Sequence, residues 1–324
     1  MRPGTTRAAS ACMLLSLLAT LATGTAPPPR TPWPVRRVGS GVYLVAGDTG
    51  RGSEGRANAG FVVTSAGVVA IDAEASPVDA ERMLASIASV TKQPVRWVIL
   101  THHHPDHHFG TIVFKRQGAK VMAHPDTHTL SAEGGEDAAL ADWSRVVGIQ
   151  NLIGFEYANT PDRPVTGTDT LRLGGTDIVV SHPAPGHTPG DLVVWLPAAK
   201  VLFAGDLLIE DGVSMMVDGS SSAMLEALDA LGGYHAAVVV PGHGRLPRVP
   251  AQLEDSTRRY VTALRDSMRA AVEQGVPMKR ALASLPPPDA ERPVSLNSRR
   301  RRNAARVYVE MEREYMGLDA TGKP

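Results

Sequence analysis

Short apolar runs and turns alternate along this chain in two similar halves. In the first half, Gly41–Val45, Gly60–Val63 and Val68–Asp72 read as strands, and Ser65-Ala-Gly67 joins the last two as a hairpin. Pro77 to Val90 carries apolar residues at Val78, Met83, Leu84, Ile87 and Val90, a helical period. The apolar run Val95–Leu100 then predicts a buried strand, followed by a histidine-rich loop, a helix and the strand Lys120–Ala123. The second half repeats the plan. Leu171–Val180 is a strand–turn–strand, Asp191–Leu196 and Lys200–Ala204 are strands, Ser220–Leu231 is a helix and Ala236–Val240 a last strand. Beyond residue 250 the period turns helical. Leu253–Glu273 places Tyr260, Val261, Leu264, Met268 and Val272 on one face, and Asn297–Tyr315 is a second helix beyond Pro286-Pro-Pro288. Residues 131–165 are polar and weakly periodic, with scattered Trp143, Phe155 and Tyr157. Two readings stand for them: a lid or binding loop, or a segment whose aromatics cap the edge of a core. The fold class is α/β.

The N-terminus changes the picture of where this domain works. Arg2 and Arg7 precede the apolar stretch Ala11–Ala22, small residues follow to Ala26, and Pro27-Pro-Pro29 comes next. This is the pattern of a secretory signal peptide over residues 1–26. It leads into a Pro-rich linker over 27–35, and it predicts a periplasmic or secreted protein with no membrane span in the mature chain. The single cysteine, Cys12, lies inside that segment, so the mature chain has neither thiol nor disulfide. The 33 basic and 33 acidic side chains balance to a formal charge of zero, which argues against nucleic acid and for a small-molecule substrate.

The chemistry concentrates in Thr101-His-His-His-Pro-Asp-His-His-Phe-Gly110, which contains His102-x-His104-x-Asp106-His107. Residues two apart on extended backbone point to one side, so His102 and His104 can address one metal ion. Pro105 breaks the run, and Asp106 and His107 can then turn toward a second position. Mixed imidazole and carboxylate donors suit zinc better than calcium or magnesium. Three more candidates stand at strand ends, framed by glycine or proline: His187 in Pro185-Gly-His-Thr-Pro-Gly190, Asp206 closing Val201-Leu-Phe-Ala-Gly-Asp206, and His243 in Val238-Val-Val-Pro-Gly-His-Gly244.

These motifs, in this order over residues 36–250, resemble the metallo-β-lactamase superfamily of zinc hydrolases. The resemblance implies a four-layer αββα sandwich, here followed by a C-terminal helical extension over 251–324. It implies two zinc ions: His102, His104 and His187 on one, Asp106, His107 and His243 on the other, and Asp206 bridging them. Such a site holds a metal-bridging hydroxide that attacks an ester, thioester, lactone or related bond. Asp106, which would bind only one ion, is the expected proton relay and catalytic residue. The best-known β-lactamase subclasses of the superfamily use a cysteine in the second metal site, which this mature chain lacks. Cysteine-free β-lactamases of the superfamily lack a bridging carboxylate, so Asp206 counts against that activity.

The remaining polar residues are read more plainly. His103 is expected to face away from the ions, and His108 and His124 to be packing histidines. Asp72 either orients a ligand histidine or caps a turn, and Asp191 is a similar candidate. His128, His182 and His235 carry no readable signal. The basic run Arg299–Arg302 reads as a solvated helix face. The histidine loop, Asp206 and a helical tail with Asn303 and Glu310 also resemble exported metallohydrolases linked to quinoprotein systems. Two alternatives to the hydrolase remain: a periplasmic β-lactamase, and a low-turnover metal-bearing partner in a periplasmic relay. Iron-dependent sulfur oxidation uses a similar motif.

Overall fold

The computed structural model describes residues 30–48, 55–133, 136–210, 212–286 and 294–318. The predicted signal peptide lies outside them. So do residues 49–54.

Two mixed sheets face one another. The first contains, in spatial order, β1 (Val35–Gly39), β2 (Val42–Val45), β3 (Ala59–Thr64), β4 (Gly67–Ile71), β5 (Val95–Ile99), β6 (Lys120–Ala123) and β7 (Arg163–Pro164). Strands β1 to β4 pair antiparallel and β4 to β7 parallel. The second sheet is built from β8 (Thr168–Leu173), β9 (Thr176–Ser181), β10 (Val193–Leu196), β11 (Val201–Phe203) and β12 (Val238–Val240). Only the β11–β12 pair in it is parallel.

The two-residue period of each strand sorts its side chains between three apolar layers. Val62, Val69, Ile71 and Ile99 point inward to meet Ile178, Val180, Val194 and Phe203 of the opposite sheet. Phe61, Val68, Ala70 and Val98 point outward and are covered by α1 (Pro77–Val90), with Met83 and Ile87 buried. On the far side, Val193, Leu202 and Val239 lie under the later helices. Strands buried on both faces read as continuous apolar runs, which is why β4 is unbroken in sequence, while β5 carries the exposed Arg96 near its start. The result is the four-layer αββα sandwich that the resemblance implied.

Helix α1 spans the predicted range because Ser76 caps it: its hydroxyl accepts the Asp79 N–H, and Pro77 opens the first turn. After β5 the chain makes α2 (Pro105–His108) and α3 (Thr111–Arg116), then after β6 α4 (Pro125–Glu133) and α5 (Glu136–Val147). The last two show helix across the start of the weakly periodic 131–165 segment. Trp143, Phe155 and Tyr157 gather around buried Phe109, with ring centroids 6.3, 4.4 and 5.9 Å away, and the Trp143 indole donates to Ala75 O. The aromatics therefore do cap a core edge, Trp143 from α5 and Phe155 and Tyr157 from the segment after it.

The N-terminal residues 30–35 are also more engaged than a linker. Ser86 Oγ donates to Trp33 O, Arg82 donates to Thr31 O, and the guanidinium groups of Arg56 and Arg82 lie over the Trp33 ring.

The C-terminal helices are α6 (Ser221–Gly232), α7 (Pro250–Glu273), α8 (Met278–Ala283) and α9 (Val294–Tyr315). Leu253, Val261, Leu264 and Met268 of α7 and Ala304, Val307, Tyr308 and Met311 of α9 share one core with α6. The short α8 was not evident in the sequence. No helix among the described residues is long and apolar enough to cross a membrane.

Candidate metal centre

The first sheet delivers its ligands at the C-terminal ends of two central parallel strands. Strand β4 ends at Asp72, which adopts φ 60°, a left-handed conformation an aspartate tolerates better than most residues. Its carboxylate turns under the histidine loop. It accepts the Thr101 N–H at 2.8 Å and the Thr101 hydroxyl at 3.0 Å, and it holds His107 Nδ1 at 2.8 Å. Strand β5 leads through Thr101 into His102 and His104 on extended backbone, and Pro105 starts α2, which carries Asp106 and His107.

The second sheet supplies the rest from its loops. After β9, buried Asp191 accepts from the backbone N–H groups of His187 and Thr188 and from the Thr188 hydroxyl, fixing the loop that carries His187. Asp206 follows β11 in a tight turn opened by Gly205 at φ 51°. A Cβ at Gly242 would collide with Asp206 Oδ1, so only glycine lets the β12 loop pass this carboxylate. Asn58 ties down that loop through Pro241 O and Gly244 O, which places His243.

The side chains named from sequence form two groups of close donor atoms: His102, His104, His187 and Asp206, and Asp106, His107 and His243. Asp206 faces both. Its Oδ1 is 3.3 Å from His107 Nε2 and 3.6 Å from His243 Nε2, and its Oδ2 is 3.6 Å from His187 Nε2. Asp106 Oδ2 is 2.9 Å from His243 Nε2.

The hydrogen bonds on the outer ring nitrogens fit this donor set to a cation. His187 Nδ1 faces Met215 O at 2.6 Å, and His104 Nε2 faces the Asp218 carboxylate at 3.1 Å. Both outer nitrogens must carry the proton, so His187 Nε2 and His104 Nδ1 present lone pairs to each other at 2.9 Å. Two lone pairs at that distance repel unless a cation lies between them. His107 repeats the pattern. With its Nδ1 proton on Asp72, its Nε2 lone pair points at two carboxylates. His102 Nε2, His107 Nε2 and Asp206 Oδ1 are buried and have no hydrogen-bond partner.

The local field agrees. Burial, reinforced by neighbouring histidines, pushes His102 well below the usual histidine range, and His187 falls to about 4 for the same principal reason. Neutral imidazole is the form that binds metal. Burial would raise Asp106, but His107 and His243 outweigh it and hold the carboxyl at about 2; Asp206 is likewise held well down. Burial would lower His107, yet Asp106, Asp72 and Asp206 drive it well above its ordinary value. The surroundings of that nitrogen stabilise positive charge.

The superfamily's sequence model, described as "Metallo-beta-lactamase superfamily", matches residues 52–243. The chain belongs to this superfamily. It is 26% identical over 191 residues to a metallo-beta-lactamase type 2 of Bacillus cereus, covering 56% of this chain and 65% of that protein. It is 28% identical over 146 residues to a hydroxyacylglutathione hydrolase of Brucella ovis, covering 45% and 44% respectively. The match thus spans less than two thirds of either relative. A solved metallo-beta-lactamase from Pontibacter korlensis superposes with TM-score 0.58 at 26% identity, over 71% of this chain and 98% of that one.

Of the residues flanking the ligands, Asp72 and Asp191 are positioning groups, as one of their two readings held. His103 belongs to neither ligand group, although it sits beside His104 and Asp218. His108 is buried against the Ser131 hydroxyl. Sequence reasoning missed Asp218, the Met215 carbonyl and the role of Asn303. Buried Asn303 on α9 accepts from Met216 N–H at 2.9 Å and donates to Ser214 O at 2.8 Å, while Ser214 Oγ donates to Asp206 O. The C-terminal extension thereby fixes the segment that orients His187 and His104. Asn303→Leu leaves two buried backbone groups unpaired and is expected to cost about 2–4 kcal/mol of stability, with weaker zinc retention. Chemical denaturation and metal analysis measure both, and an unchanged midpoint would show that the 213–219 segment holds itself.

Proposed function

We propose that this chain is an exported, dinuclear zinc hydrolase of ester, thioester, lactone or related bonds in a small-molecule substrate. The observation that carries the reading is Asp206, wedged between two donor groups with an oxygen toward each. Zinc ions held there would supply a Lewis acid and a water nucleophile ionised near neutral pH. The chain's own residues do the rest. His102, His104 and His187 would hold one ion, Asp106, His107 and His243 the other, and Asp206 both. Asp106 engages the second group through Oδ2 and lines the cleft, where it is placed to accept a proton from the nucleophile and pass it to the leaving group. Asp72, Asp218 and the Met215 carbonyl fix the tautomers of His107, His104 and His187.

Thioester hydrolysis draws support from the Brucella relative. β-Lactam hydrolysis, the second reading, draws support from the Bacillus relative and the Pontibacter structure. Asp206 separates them. Relative to a cysteine-free site with no anionic ligand in the shared position, a carboxylate there lowers the net positive charge of the site by one and weakens its attraction for an anionic lactam. We expect kcat/KM for a chromogenic cephalosporin and a carbapenem to fall at least about tenfold below that for the best ester or thioester tested, with two zinc equivalents per chain by elemental analysis. Efficient lactam turnover, in the ordinary enzyme range of about 10⁴–10⁸ M⁻¹s⁻¹, would promote the second reading. A fully metallated chain inactive on the whole panel would favour the relay partner instead.

A further inference from the structure

The cleft over the metal centre has a wall that the ligand set does not explain. It encloses about 300 Å³ and is lined by His104, Asp106, Asp206 and His243 at its base and by Trp143, Val146, Ile209 and Met215 at its sides. Its remaining wall is Arg299 and Arg302, from the first turns of α9. Residues three apart share a helix face, so the basic run divides by direction. Arg300 turns to the Tyr260 ring and Arg301 lies outside the cleft lining, while Arg299 and Arg302, the latter as exposed as Arg301, line the cleft.

Neither cleft arginine has a carboxylate partner among the described residues. Several other arginines of α7 and α9 are matched: Arg265 with Glu314, Arg269 with Glu314 and Asp266, and Arg306 with Glu310. The two carboxylates at the cleft base are engaged with histidines. Two like charges on one helix face repel each other. An anion seated between them removes that penalty and gains charge-assisted hydrogen bonds from two planar donors.

We propose that Arg299 and Arg302 form an anion subsite, and that the substrate is an acyl ester or thioester with an apolar body and a fixed anionic group, such as a carboxylate, remote from the bond that is cut. The apolar body lies against Trp143 and Val146. The C-terminal extension thus sets specificity. The proposal rests on the hydrolase reading for its substrate, but the subsite can be tested by binding alone.

The test uses the full zinc-loaded chain and two non-reacting probes, 4-phenylbutanoate and its neutral analogue 4-phenylbutanamide, titrated by calorimetry. Wild type is expected to prefer the carboxylate. Arg299→Gln and Arg302→Gln should each weaken carboxylate binding about ten- to hundredfold and leave the amide within about twofold. Arg301→Gln removes the same charge from a neighbouring position outside the cleft lining and should change neither. Equal weakening by Arg301→Gln would reduce the effect to a diffuse field and overturn the subsite. Carboxylate binding unaffected by all three variants would mean that the metal alone reads the anion, and would overturn it too. Failure of the hydrolase reading looks different: the probe preference and its arginine dependence persist while no ester or thioester is turned over.

Discussion

Asp206→Ala is expected to lower kcat/KM by about 10³-fold on any accepted substrate and to reduce bound zinc from two equivalents to one or fewer. Two cations held side by side repel, and Asp206 is the anionic side chain that faces both donor groups. Its removal leaves His107 and His243 without the carboxylate oxygen 3.3 and 3.6 Å from their Nε2 atoms. The side chain is buried, so water cannot readily take over its charge. A second substitution tests position rather than presence. Gly242→Ala puts a methyl group where Asp206 Oδ1 lies and should produce a milder loss of the same kind. His103→Ala is the contrasting variant. That ring belongs to neither donor group, and burial holds it neutral with a pKa of about 3, so activity and metal content should stay within about twofold. Parallel assays of turnover and zinc content decide the matter: equal losses in Asp206→Ala and His103→Ala would mean that the loop presents its ligands otherwise.

The candidate ligand clusters were legible in the sequence because metal binding constrains both residue type and spacing. His102-x-His104 needs only an extended backbone to share a direction, and each remote ligand sits beside a glycine or proline that marks a strand end. The central strands were legible for a similar reason, since β4, β11 and β12 are buried on both faces and leave unbroken apolar runs. The supports of the ligands were far less so. Asp218 lies in a segment without regular structure, and the Met215 contact is made by a backbone carbonyl, which any residue could supply. Nothing in the sequence separated the α9 arginines either. A run of four basic residues looks like one solvated face until helix geometry assigns two of them to the cleft. The helix α5 was hard to see in a polar stretch, and the rings that close the core edge around Phe109 come partly from it, through Trp143, and partly from Phe155 and Tyr157 beyond its end.

Asp72 supplies the second large effect. Asp72→Asn is expected to weaken zinc binding about 10- to 100-fold while leaving the fold intact, and Asp72→Ala to match it in affinity and add a loss of stability. The carboxylate performs two tasks at once. It accepts two hydrogen bonds from Thr101, which set the histidine loop on the end of β5, and it accepts the His107 Nδ1 proton, which directs the Nε2 lone pair into the site. Asparagine suits the left-handed backbone at φ 60° about as well as aspartate, and its amide oxygen can still accept from Thr101. The amide NH₂ cannot accept the histidine proton, so the imidazole loses both its anchor and the negative charge that makes it a stronger donor to metal. Alanine loses the Thr101 bonds as well, leaving the buried Thr101 N–H unpaired. Competition with a chromophoric zinc chelator gives the affinity, and thermal melting in excess chelator gives the stability of the chain apart from its metal. If Asp72→Asn held zinc as tightly as the wild type, the carboxylate would be no more than a cap for Thr101, and the orientation of His107 would have to come from the packing of α2.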